Sequence, residues 1–150
     1  MKIFALLAAC LIGISQSSAL AAIPEKRPPC RLEVDNAHIS SNIVKKETKL
    51  AVKVIFRSIC NFDQHSLLMK LQIKKSGLIG DHPVSSVITR SFPFVRANQE
   101  ILIQDIFIYC KNTRRTSFYG IAEAEAVING TKVKASKTQS RKTEPLECGT

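Results

Sequence analysis

The sequence has no tryptophan, few aromatic residues (6%), and no apolar run approaching the ~18 residues that cross a bilayer as a helix. The last of these excludes a polytopic helical membrane protein. The scarcity of aromatics removes the stacking platforms on which single-stranded nucleic acid is bound, so nucleic acid is not expected as the natural partner. Glycine and proline number six each, well short of a collagen-like or low-complexity chain. No Gly-x-Ser-x-Gly elbow is present, which removes that serine-hydrolase signature. Lys75-Ser76-Gly77 lacks the upstream glycine of a phosphate-binding loop. Acidic residues are also scarce: 12 Asp and Glu face 22 Lys and Arg, for a net charge of +10.

What is present bounds the chain to one domain. It has 150 residues, of which 45% are hydrophobic, enough to form a core. Lys2 precedes an apolar stretch from Ile3 to Ile14, followed by polar Ser15 to Ser18 and then Ala19-Leu20-Ala21-Ala22. A charged start, a short apolar region and a small-x-small end predict a secretory signal peptide over residues 1–22, cleaved after Ala21 or Ala22. The mature chain of about 128 residues then carries 21 basic and 12 acidic side chains, or +9. The expected location is extracellular, or periplasmic or cell-surface in a bacterial host. Leu7-Ala8-Ala9-Cys10 resembles a lipoprotein cleavage box. The apolar region ahead of it is short, however, and the Ala19-Leu20-Ala21 site is better placed.

Four cysteines follow the signal region: Cys30, Cys60, Cys110 and Cys148, with a nearest spacing of thirty residues. That spacing does not suit a zinc site, whereas an even count in a small exported chain predicts two disulfides.

Residues 23–29 form a proline-rich leader ahead of a single domain, and residues 136–150 a basic tail. Between them the chain reads as strands, with no helix. Leu32 and Val34 mark a first strand running to about Ser40. Leu50, Val52, Val54 and Phe56 alternate with Lys53 and Arg57, and Leu67, Met69, Leu71 and Ile73 alternate with Lys70, Gln72 and Lys74. Period two is the signature of a half-buried strand. A fourth strand spans Val84 to Phe94, and Pro93 inside it predicts an edge position or a bulge. Ile101 to Cys110 is apolar at both parities, as in a central strand, with a bulge expected at Gln104-Asp105. Phe118, Gly120, Ala122, Ala124, Ala126 and Ile128 form one face of a sixth strand. Asn129-Gly130 then predicts a tight hairpin pairing Ile128 with Thr131, Ala126 with Val133 and Glu125 with Lys134. The Gly and Ala run predicts close approach by the opposite sheet or by a bulky partner.

Seven such strands predict an all-β, antiparallel two-sheet sandwich, immunoglobulin-like in the broad architectural sense. True immunoglobulin domains differ: the tryptophan is missing, and the sixth strand has no cysteine to make the inter-sheet bridge. Alternating strand directions place Cys30 and Cys60 at one end, and Cys110 and Cys148 at the other. The expected pairing is therefore Cys30–Cys60 with Cys110–Cys148.

Function is less legible. His38, His65 and His82 fall in loops or at strand ends, two of them beside turn-forming aspartates, and no catalytic residue, metal site or cofactor is expected. Lys111, Arg114 and Arg115 share one loop, while Lys137, Arg141 and Lys142 lie in the tail, which has no acid before Glu144. A Cys110–Cys148 bridge would merge these into one anion-binding region for an acidic polysaccharide, a lipid surface or an acidic protein. The expectation is a monomeric, non-enzymatic secreted binding module. The alternatives are a secreted effector, a toxin-like protein or an enzyme inhibitor, and beyond those a small hydrolase or an envelope or matrix structural protein. Asn129-Gly130-Thr131 also forms an N-glycosylation triplet.

Overall fold

The computed structural model describes residues 29–150. The signal peptide, Cys10 and the leader up to Pro28 lie outside the described residues. Twelve strands and one helix follow: β1 (Cys30–Val34), β2 (His38–Ile39), α1 (Ser41–Glu47), β3 (Ala51–Cys60), β4 (Gln64–Lys75), β5 (His82–Pro83), β6 (Ile88–Val95), β7 (Glu100–Tyr109), β8 (Asn112–Thr116), β9 (Phe118–Ile128), β10 (Thr131–Lys134), β11 (Thr138–Gln139) and β12 (Leu146–Gly149).

All pairings are antiparallel and build two main sheets and a separate two-stranded ribbon of β8 and β12. In the first, β3 is flanked by β7 on one edge and by β1 and β2, end to end, on the other. In the second, β9 and β4 are central, with β10 and β11 along the outer edge of β9, and β6 and β5 along that of β4. Joining the collinear pieces leaves seven strands in the two main sheets, the number expected, and the fold is a two-sheet sandwich with the β8–β12 ribbon beside it. The sequence-derived hairpin register also holds: Ile128 pairs with Thr131, Ala126 with Val133 and Glu125 with Lys134. Asn129 and Gly130 have φ of 50° and 77°, the left-handed backbone this turn requires.

The core fills the space between the sheets. Val52, Val54 and Phe56 of β3 meet Met69, Leu71 and Ile73 of β4 and Phe118 of β9, all fully buried. Each such side chain contributes about 1.5–3 kcal/mol on removal from water. Gly120 is the closest approach. A Cβ there would lie 2.5 Å from Val54 Cγ1 and 2.7 Å from Val34 Cγ1. Of the two readings of the small-residue face, close approach by the opposite sheet is what Gly120 shows.

Both expected disulfides are present, Cys30–Cys60 and Cys110–Cys148, one at each end of the sandwich. Loop closure over 30 and 38 residues makes each worth about 4 kcal/mol in the chain-entropy account.

Four local expectations are corrected. β7 is an edge strand, pairing only with β3. Its bulge lies where expected: Val54 pairs with Ile106 but Phe56 with Ile103, leaving an extra residue at Gln104-Asp105. The bulge reverses the parity, so Ile101 and Ile103 before it and Ile106 and Ile108 after it all oppose the core-facing positions of β3. A one-faced strand thus reads as apolar on both faces.

A helix also occurs where none was expected. α1 is capped by Ser40, whose Oγ accepts from the Ile43 N–H, and ends at Thr48 with φ of 54°. None of its residues is buried, so it has no apolar stripe to read. The segment expected as the Lys111–Arg115 loop contains strand β8, paired with β12 as a two-stranded ribbon. Finally, the ion pair of Glu125 is made diagonally by Lys132, at 3.2 Å, and not by its register partner Lys134.

Candidate functional site

The elements that finish at the Cys110–Cys148 end of the sandwich bring together cations distant in sequence. α1 and the turn after it carry Lys45, Lys46 and Lys49, and lead into β3 at Ala51, opposite the last residue of β7. β4 ends there with Lys74 and Lys75, and Lys75 pairs with Phe118 at the start of β9. Lys111, Arg114 and Arg115 lie on or beside β8. Arg141 and Lys142 arrive with the tail, which is pinned along β9 as an irregular strand. Ser140 N–H donates to the Gly120 carbonyl, and Thr143 N–H to the Phe118 carbonyl. Ser140 Oγ and Thr143 Oγ1 accept in return from Gly120 and Phe118.

This end holds ten Lys and Arg side chains against four Asp and Glu side chains, Glu47, Asp81, Glu144 and Glu147, a side-chain excess of six. Residues 29–150 as a whole carry 19 against 11, an excess of eight. Most of the net charge of the described domain therefore sits at one end.

Two of the four carboxylates are engaged locally. Asp81 accepts from Lys142 Nζ and from the Tyr119 hydroxyl, both at 2.9 Å. Lys142, and then Tyr119, hold its carboxyl below the ordinary value. Burial, reinforced by the Asp81 carboxylate, pushes the Tyr119 phenol up to about 12. Glu47 Oε2 accepts from the Tyr109 hydroxyl at 2.5 Å, which raises that phenol as well. Lys49 lies 5.5 Å from the centre of the Tyr109 ring.

The six residues proposed from sequence do not all converge. Lys111, Arg114 and Arg115 share the ribbon, where Arg115 donates to the Pro145 carbonyl. Arg141 and Lys142 lie beside the Phe118 end of β9. Lys137 lies further down the sheet, 3.7 Å from Glu123, and belongs to the body of the domain. Among the described residues, Lys111, Arg114 and Arg141 have no carboxylate within ion-pair distance. The lysines of α1 and the turn after it, Lys45, Lys46 and Lys49, are not among the cations expected from sequence. Their signal was the run Lys45-Lys46-Glu47-Thr48-Lys49 itself, which had no place in a strand-only reading.

The histidines stay apart. His38 lies on β2 in one sheet and His82 on β5 in the other, while His65 packs against the Phe94 ring at 5.0 Å. Among the described residues, no three His, Cys, Asp or Glu side chains could jointly hold a metal ion. Asn129 occupies the β9–β10 turn.

Away from the basic end, a cleft of about 720 Å³ lies between β1 and β10, with Leu32, Leu67, Ala126, Ile128, Val133 and Ala135 among its walls. Gln64 lines it too, and its Oε1 is buried with no hydrogen-bond partner. The opposite open side, between β6 and β7, is bridged by the Arg90–Asp105 ion pair.

Compared with known protein families and with curated proteins, the chain finds no match.

Proposed function

We propose that this protein is a secreted, non-enzymatic binding module that holds an anionic partner (an acidic polysaccharide, a lipid surface or an acidic protein) against the basic end of its sandwich. The supporting observation is the segregation of charge: an excess of six cations at one end, out of eight over residues 29–150. Four separate pieces of chain contribute to it: strand pairing holds the end of β4 and the bridged β8–β12 ribbon, and Glu47 ties α1 to Tyr109. A preorganised cluster loses little entropy on binding, and its field draws anions from beyond contact distance. Two disulfides and the lack, among the described residues, of a helix able to cross a membrane are compatible with an exported protein.

Salt-gradient elution from a heparin column tests the reading. Arg114→Ser with Arg115→Ser should elute at clearly lower salt than wild type, with only a small fall in melting temperature from the lost Arg115–Pro145 hydrogen bonds. Lys132→Ser with Lys134→Ser, on β10 away from this end, should elute close to wild type. Equal shifts for both pairs would mean that only total charge matters, and would remove the site.

A further inference from the structure

The turn between β4 and β5 stands at this same basic end, and its tip is apolar. Leu78 and Ile79 are fully exposed, at 108% and 98%, the two most exposed large hydrophobic side chains of the described residues. They are framed by Gly77 and Gly80, and Gly80 has a φ of 130° that few other residues adopt. The tip is held at its base. Ser76 N–H donates to the Ser117 carbonyl, Gly80 N–H donates to the Gly77 carbonyl, and Asp81 is tied to Tyr119 and Lys142. The exposed pair is therefore presented at the tip of an anchored turn. Lys74 and Lys75 precede it on β4.

Two adjacent aliphatic side chains in water gain nothing from a heparin-like chain or a carboxylate surface. They gain a great deal from the acyl region of a bilayer, and surrounding cations gain from anionic headgroups. We infer that the anionic partner is a membrane surface rich in acidic lipid, met end-on, with Leu78 and Ile79 entering below the headgroups while the cations stay among the phosphates. This deepens the reading above and rests on it. The two contributions are separable: the cations supply long-range attraction that salt screens over ~8 Å, and the aliphatic pair supplies a short-range term that salt does not weaken.

The test uses wild type and Leu78→Ser with Ile79→Ser, sedimented with sucrose-loaded vesicles of phosphatidylcholine alone or with one-third phosphatidylglycerol. The substituted side chains touch no core residue, so the melting temperature and the heparin elution should match wild type. Partition onto the acidic vesicles should fall at least about tenfold, as expected for two large aliphatic groups left in water. Because the chain contains no tryptophan, Ile79→Trp adds a single indole reporter. Its emission should shift to the blue on acidic vesicles and be quenched by lipids brominated on the acyl chain. Unchanged partition of the serine variant, or an unshifted indole on bound protein, would overturn the insertion. Heparin binding without vesicle binding by wild type would leave the basic site standing and assign it a soluble polyanion. Loss of both would remove the basic site as well.

Discussion

Substituting Gly120 by alanine adds one methyl group at the tightest point between the sheets. That methyl would sit 2.5 Å from Val54 Cγ1, 2.7 Å from Val34 Cγ1 and 3.3 Å from Phe56 Cε1. Val54 and Phe56 are completely buried, so neither can swing toward solvent to make room. The sheets must separate locally or two valines must leave their rotamers, an overpacking that costs about 1–3 kcal/mol. Gly120 is not in the left-handed region, so alanine recovers about 0.4–1 kcal/mol by restricting the unfolded chain. The net loss should be about 1–2 kcal/mol, a fall in melting temperature of roughly 3–8 °C for a domain this size. Denaturant unfolding without reductant would measure it, and the slope should not change. The same substitution in a Val54→Ala background should cost markedly less, because one of the two clashing methyls is gone. An equal penalty in both backgrounds would show that the sheets do not meet at Gly120.

The remaining predictions concern a buried amide and a phenol. Gln64 is 5% exposed with an unpartnered Oε1, a burden of about 1–3 kcal/mol. Gln64→Leu should therefore raise the melting temperature, and a lowered one would mean that the amide is satisfied. In a Tyr109→Phe background, phenolate absorbance should report Tyr119 alone, titrating near about 12. The fold favours the protonated phenol, so its contribution to stability is complete below the unfolded value of ~10 and is lost as pH climbs through about 12. Asp81→Asn should lower that midpoint only in part, since burial is the larger cause; no change would mean that the carboxylate has no hold on the phenol.

Much of this fold is visible in the alternation of its residues. β3, β4 and β9 each bury one full face, so burial writes a period of two into their sequences, and Asn129-Gly130 fixes the register of the final hairpin. What escaped had no buried face to write. α1 buries nothing, and β8 is polar and exposed, held as a strand by pairing with β12 beside the Cys110–Cys148 bridge. β7 carried the signal but its bulge scrambled the parity. The site suffered most from this. Three of the cations at the basic end, Lys45, Lys46 and Lys49, lie on and after the unexpected helix. Lys137, grouped with the site by position in the chain, is drawn instead to Glu123 across a pairing visible only in three dimensions.

The two disulfides close covalent loops that neither overlap nor enclose one another. The first ends at Cys60, well before the second begins at Cys110. Along the chain from Cys30, each unpaired cysteine is therefore joined to the next one to appear. In synthesis that proceeds from the N-terminus, the first loop is complete before the third of these thiols exists. An oxidant that couples thiols in order of emergence makes the native set directly, and exchange between bridges is not required.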